Sequence, residues 1–434
     1  MSKKYLAFLG ANAYKLSTYI FREQPLRTPY VQAALTRILC QDWTANDRIL
    51  VFTTPKAREK NWGALSEEFQ RLCLPCPHTQ IDIPEGGNEE SLWEIFDTVL
   101  QTMEPGDDII FDVTYGFRSL PMLALIILNY AKFVKNCALA GMYYGAYEAR
   151  QAPQGKPDAT DAEYETPVID LTPLVNVLDW TVGIDRFLNT GDASVVTTLT
   201  EKQVYRILKK TRDHNKQEAE NLKAMARALS NFAKNCATCR GKELSPSALQ
   251  VKHYIETSLR ASDELIKPLT PLLEKIQAHF TMFNPDDEIR NIFHVVSWCR
   301  EHHLIQQSIT ILEEGLITDF CHKLGLNPDD YRKRQAVSAA ISFIAQSKRP
   351  EARTKPGKNC AAYVAPLFSL LPSEKFISNF DRLRNMRNDI NHAGYIENYQ
   401  RADKFQKAFD EIFEEIQQEL LVNETWDSVV MRSE

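Results

Sequence analysis

One stretch constrains this chain more than any other: residues 107–130, DDIIFDVTYGFRSLPMLALIILNY. Ile109, Ile110, Phe111 and Val113 form a short apolar, largely β-branched run. That is the pattern of a strand buried on both faces of a parallel sheet. Thr114, Tyr115, Gly116 and Phe117 interrupt it, and Gly116, with no Cβ, allows a sharp turn and the close approach of a ligand. Ser119 is placed as an N-cap and Pro121 in the first turn of a mostly buried helix over residues 120–134. Strand, turn and helix put Asp112, Thr114, Gly116, Phe117, Arg118 and Ser119 at the carboxyl end of a central strand. Open α/β sheets hold ligands there. The free N–H groups of the helix start and the forked donors of Arg118 suit a phosphate. The same residues also fit a surface Arg118–Asp112 ion pair and an ordinary glycine turn.

The flanking sequence alternates in the same way. Strands are expected at 4–10, 48–54, 80–84, 137–147 and 168–171, with helices at 30–41, 62–72, 89–103 and 173–189. Residues 150–165, rich in Pro, Gly, Asp and Ala, form a surface hairpin or loop. The first strand ends in Gly10 and a loop with Asn12, Tyr14 and Lys15; the second ends in Thr53 and Thr54, followed by Lys56. This alternation predicts an α/β, Rossmann-like parallel sheet over residues 1–190. No GxGxxG follows the first strand, so a dinucleotide redox role has little support.

From about residue 191 to 434 helical spacing takes over, which predicts an all-α domain. The apolar series in residues 291–324 is long enough to line a dimer interface as well as a core. Residues 348–359, KRPEARTKPGKN, form a basic exposed loop, taken here as a solvated linker rather than an RNA contact. A second chemical site lies in residues 381–395, DRLRNMRNDINHAGY, on a helix that Gly394 stops. Arg387 and His392 are five apart, so they converge only if the helix end unwinds or if a second copy faces them. A histidine that titrates near neutrality and an arginine that holds phosphate bidentately suit metal-free RNA cleavage by the ribose 2′-hydroxyl.

Bulk properties narrow the choices. Lys and Arg number 51 and Asp and Glu 57, a net charge of −6, so any polyanion must meet a local basic patch or small pocket. Nine cysteines, an odd number, are expected as reduced, mostly buried thiols. Cys236-x-x-Cys239 with Cys299 and His302 is the one tempting metal set, and no metal is expected. Neither a signal peptide nor a membrane span is evident, which predicts a cytoplasmic protein without a membrane partner.

DVTYGFRS resembles the D-x-T-H-G-F-R motif of one branch of the CRISPR-associated Rossmann fold (CARF) sensors, with Tyr115 in the usual histidine position. RNDINH, Arg387 to His392, resembles the Arg-x4–6-His motif of HEPN ribonucleases, with the polar Asn388 after the arginine. In this order the two resemble the accessory ribonucleases of type III CRISPR systems. The resemblance implies a homodimer, with higher assembly left open. It implies a CARF pocket for a cyclic oligoadenylate activator, cyclic tetra-adenylate being favoured, and a composite HEPN site for single-stranded RNA that needs no cofactor for catalysis. Thr114, Tyr115, Gly116, Phe117, Arg118 and Ser119 then lie beside the activator; Gly10, Asn12, Thr53 and Thr54 join them only by position at strand ends. Arg387, Asn388 and His392 form the nuclease site. Two alternatives remain: a nucleotide-sensing module coupled to a helical interaction domain, and a ring nuclease that degrades its activator. The acidic balance and the lack of a basic recognition helix disfavour duplex DNA.

Overall fold

The computed structural model describes residues 2–116, 119–153, 155, 160, 163–210, 216–260, 267–347 and 356–422. The chain forms two compact units, residues 1–178 and 179–434. The division falls inside the helix Thr172–Thr190.

The first unit is built on an eight-stranded sheet: β1 (Lys3–Leu9), β2 (Ser17–Phe21), β3 (Gln24–Thr28), β4 (Arg48–Thr53), β5 (His78–Asp82), β6 (Asp108–Asp112), β7 (Ala138–Gly145) and β8 (Glu165–Asp170). Its order is β3-β2-β8-β7-β6-β1-β4-β5. The five strands from β7 to β5 run parallel, as the alternation predicts. The strand period of two explains how the centre is sealed on both faces. On one side Leu6, Phe8, Leu50, Phe52, Ile109 and Phe111 pack under the helices Glu89–Gln101 and Leu120–Val134. On the other, Tyr5, Ala7, Ile49, Val51 and Ile110 pack under the helices Val31–Leu39 and Gly63–Leu72. Each large apolar side chain buried this way contributes about 1.5–3 kcal/mol.

The remaining strands correct the expectation of a wholly parallel sheet. β8 pairs antiparallel with β7, and β2 and β3 form a hairpin in a stretch where the sequence reading placed no strand. The hairpin turn is Arg22-Glu23, with φ of 50° and 63°. Two-residue hairpins of this twist normally carry Asn or Gly, and without those residues the turn leaves no signal. Residues 117 and 118 and most of the segment 154–162 lie outside the described residues.

In the second unit, helices of eight residues or more run Ser194–Lys210, Lys216–Ala237, Gly241–Arg260, Thr270–Ala278, Glu288–Glu301, Ile305–Lys323, Tyr331–Ser347, Ala361–Leu370, Glu374–Asn391 and Ala402–Gln417. They share one core that includes Phe232, Phe280, Phe293, Trp298, Phe320, Phe376 and Phe413. Of the series read from sequence as long enough for a core and a dimer face, Ile292, Val295, Val296, Trp298, Ile309, Leu312 and Leu316 are buried in it, while Leu304 and Ile305 are partly buried and pack against it. An exposed apolar face lies elsewhere. The helix Leu120–Val134 buries Leu120, Ala124, Ile127, Leu128 and Ala131 but exposes Met122, Ile126, Tyr130 and Phe133, the last 89 % accessible. That spacing is one helical stripe. Trp93, 60 % exposed, continues it through ring contacts with Phe96 and from Phe96 to Tyr130. Among the described residues no helix is long and apolar enough to cross a membrane.

Candidate functional site

After β1 the chain builds β4 and β5 on one side and then places β6 on the other, so the sheet reverses direction between β1 and β6. The carboxyl ends of parallel strands at such a point border a crevice. Gly10, Asn12, Thr114, Tyr115 and Gly116 all follow directly from the ends of β1 and β6. The β1 loop is fixed by three hydrogen bonds. Gly10 N–H donates to Tyr14 Oη at 2.7 Å, and Asn61 Nδ2 donates to the Gly10 and Asn12 carbonyls at 2.8 and 2.9 Å. Tyr14 meets the Tyr115 ring edge-on at 4.5 Å, and Tyr115 Oη lies 3.1 Å from Tyr19 Oη. Burial pushes all three phenols up, Tyr19 to about 12, so they remain protonated at neutral pH. Asn61 and Tyr19 escaped the sequence reading because neither is near the motif in the chain; Tyr19 sits in the unrecognised hairpin.

Asp112 closes the end of β6. It is 1 % exposed, and its carboxylate accepts from Thr114 N at 2.9 Å, Thr114 Oγ1 at 2.5 Å and Tyr5 Oη at 2.9 Å. Burial raises its pKa to about 6, against the opposing pull of the Thr114 and Tyr5 hydrogen bonds. Thr114 Oγ1 also accepts from Gly145 N at 2.8 Å, tying β6 to β7. Thr53 and Thr54 are engaged within the fold. Thr53 is fully buried and accepts from Gln80 Nε2 at 2.6 Å; Thr54 Oγ1 accepts from Ala57 N at 3.3 Å and caps the following helix. Ser119 is the N-cap residue, as the sequence suggests, but its backbone is already helical and its side chain makes no cap hydrogen bond; its carbonyl accepts from Leu123 N at 2.9 Å. Phe117 and Arg118 lie outside the described residues.

Gly116 has φ of +136°, and a Cβ there would come within 2.6 Å of Leu120 Cδ1. Gly116→Ala therefore meets both backbone strain and a clash. It is expected to destabilise the first unit by about 2 kcal/mol. Urea unfolding checks this; an unchanged midpoint would refute the turn geometry.

In the second unit, the helix Glu374–Asn391 carries Arg384, Arg387 and Asn388. Arg387 Nη1 donates to Glu314 Oε1 at 2.9 Å and lies 3.0 Å from Glu313 Oε2. Burial opposes the arginine's charge, but the two carboxylates outweigh it and hold its pKa above the ordinary value. Glu313 is 3 % exposed, and burial raises its pKa despite the nearby Arg387. Arg387, Asn388, Glu313 and Glu314 line one cleft of about 1480 Å³. His392 does not line it. It is the C-cap residue, φ −94° and ψ 9°, and its ring is exposed, with no partner among the described residues. The helix thus ends at Asn391. The stop itself differs from expectation. Ala393, φ 53°, holds the left-handed position, donating to the Ile390 carbonyl, while Gly394 N donates to that of Asp389. This is a Schellman closure shifted one residue from the glycine, at a cost of about 1 kcal/mol.

Residues 348–355 of the basic loop lie outside the described residues. Among the described residues no three His, Cys, Asp or Glu side chains group to hold a metal. Cys236 and Cys299 are buried in the helical core.

The molecule is thus an α/β unit whose parallel sheet reverses direction between β1 and β6, followed by a helical unit with an arginine-lined cleft. Its likeness by sequence is to CRISPR-associated proteins. Residues 176–288 match the family model of the second domain of CRISPR-associated protein MJ1674. The chain is 23% identical over 315 residues to CRISPR-associated protein MJ1674 of Methanocaldococcus jannaschii, and is a homologue of that protein at low identity. The match covers 72% of this chain but 42% of the relative's own length. The matched family domain ends before Glu313, Arg387 and His392.

Proposed function

We propose that this chain is a cyclic oligoadenylate-activated, metal-independent endoribonuclease that cuts single-stranded RNA in CRISPR defence. One observation carries the reading: a charge-held Arg387 and Asn388 on a helix whose end opens at an exposed His392. In RNA cleavage His392 takes the 2′-hydroxyl proton or orients that hydroxyl. The 2′-oxygen then attacks the adjacent phosphorus to close a 2′,3′-cyclic phosphate, the P–O5′ bond breaks, and the departing 5′-oxygen takes a proton from water. Arg387 offsets the charge on the pentacoordinate phosphorus. The likeness to a CRISPR-associated protein supports the biological setting. The crevice at the ends of β1 and β6 is the activator site under this reading, with the Tyr14–Tyr115 pair offering ring faces to adenine.

The ring-nuclease alternative is less well supported. Tyr115 stands in the histidine position of the CARF motif, and its buried phenol, bonded to Tyr19, holds its proton too tightly to act as a base at neutral pH. The stripe of Met122, Ile126, Tyr130 and Phe133 supports a homodimer, because an isologous contact would cover it.

The test is cleavage of labelled RNA with and without cyclic tri-, tetra- and hexa-adenylate, each repeated in EDTA. One ring, cyclic tetra-adenylate, is expected to stimulate cleavage, and EDTA to leave it unchanged. No response to any ring refutes activation, and full inhibition by EDTA refutes the metal-free step. In the same assay Phe133→Glu is expected to give a monomer by light scattering and to lose the stimulation. A dimer retained in Phe133→Glu would place the interface elsewhere.

A further inference from the structure

We propose that the cleft beside Arg387 and Asn388 is the seat of the substrate strand, gripping single-stranded RNA through Arg332, Lys333, Lys358 and the ring of Tyr331. This rests on the ribonuclease reading and names where its substrate lies. In an acidic chain, the cleft concentrates the opposite charge. Six cations line it, Arg332, Lys333, Arg334, Lys358, Arg384 and Arg387, against the carboxylates of Glu313, Glu314 and Asp330. Those carboxylates are already committed. Glu314 pairs with Arg334 at 2.7 Å and with Arg387, Glu313 pairs with Arg387, and Asp330 Oδ1 accepts from Arg332 N at 2.9 Å. The Arg332 and Lys358 side chains are exposed and have no carboxylate partner among the described residues.

Helix stability does not explain this placement. Arg332 and Lys333 occupy the first turn of the helix Tyr331–Ser347, where a cation opposes the helix dipole. Lys333 Nζ instead donates to Tyr363 Oη at 2.9 Å, which fixes the ammonium in the wall of the cleft. Tyr331 is 69 % exposed, yet it is not loose, because its Oη accepts from Gln335 Nε2 at 2.6 Å. A ring held open to solvent beside the exposed Arg332 and Lys358 matches the two elements of single-strand binding: charge along the backbone and a stacking platform for bases. An acidic protein segment would satisfy the cations but leave the ring without a role.

The experiment uses the full chain carrying His392→Ala, so that RNA stays intact, and a fluorescein-labelled single-stranded RNA of about 12 nucleotides. Anisotropy titrations at ~50 and ~200 mM salt give affinity and its salt slope. Arg332→Glu with Lys358→Glu is expected to weaken binding at least tenfold, about what two lost phosphate contacts give, and to flatten the slope by about 1.4. Tyr331→Ala is expected to weaken binding about tenfold without changing the slope. All three side chains are exposed, so the fold is retained, as circular dichroism would record. Affinities and slopes equal to the parent's overturn the proposal, as does tighter binding of an acidic peptide than of RNA in the cleft. Cleavage by the protein with His392 intact is scored separately. If it cuts RNA while the variants bind like the parent, the cleft assignment falls and the ribonuclease reading stands. If the variants lose binding and the parent never cuts, the assignment stands and the ribonuclease reading falls.

Discussion

His392→Ala is expected to lower the rate of RNA cleavage by about 10²–10⁴-fold, the range for a lost proton-transfer group. The ring is exposed and has no partner among the described residues, so the substitution should leave stability within about 0.5 kcal/mol. Loss of activity then cannot be assigned to unfolding. Arg387→Ala is expected to cost about 10²–10³-fold through lost charge stabilisation, with a second consequence. It leaves the Glu313 carboxylate buried without its cation, so the variant should also unfold more easily at neutral pH than at acid pH, where Glu313 is protonated. Arg387→Lys restores a charge but not the fork, and should recover stability better than activity. Single-turnover cleavage of labelled RNA, read beside thermal unfolding, separates the two effects. Wild-type cleavage in His392→Ala would end the assignment.

The second large effect is a pH dependence written into Asp112. Its folded pKa is about 6, above the unfolded carboxylate value, so the native state holds this proton more tightly. Its stabilising contribution is complete at low pH and is lost as pH rises from about 4 through about 6. Above that the ionised, buried group costs about 3 kcal/mol relative to acid conditions. Asp112→Asn keeps an acceptor for Thr114 and cannot ionise. The stability gap between variant and wild type should therefore widen by about 2 kcal/mol in the variant's favour between pH 4 and pH 7. Hydrogen exchange of the β1 and β6 amides is the suitable measurement, because a two-unit chain need not unfold in one step. A gap that does not move with pH would show that Asp112 is not buried as a neutral acid.

The sequence by itself determined the parallel centre of the sheet, because Leu6, Phe8, Ile109 and Phe111 belong to apolar runs that must be covered on both faces. It also located the turn at Gly116, where the backbone needs a residue without Cβ, and the helix that carries Arg387. These features are local: a few neighbouring residues contain the whole cause. Tertiary structure alone decided the rest. The β2–β3 hairpin turns on Arg22 and Glu23 with no turn residue to announce it. Asn61 reaches the β1 loop, and Tyr19 reaches Tyr115, from distant positions in the chain. Arg387 finds its carboxylates 73 and 74 residues earlier, at Glu314 and Glu313. Whether the stripe from Met122 to Phe133 faced core or solvent was also fixed only once the sheet had chosen which side of that helix to bury. Side-chain chemistry specifies what each residue can do; which groups meet is set by packing over long separations, where no local pattern survives to record it.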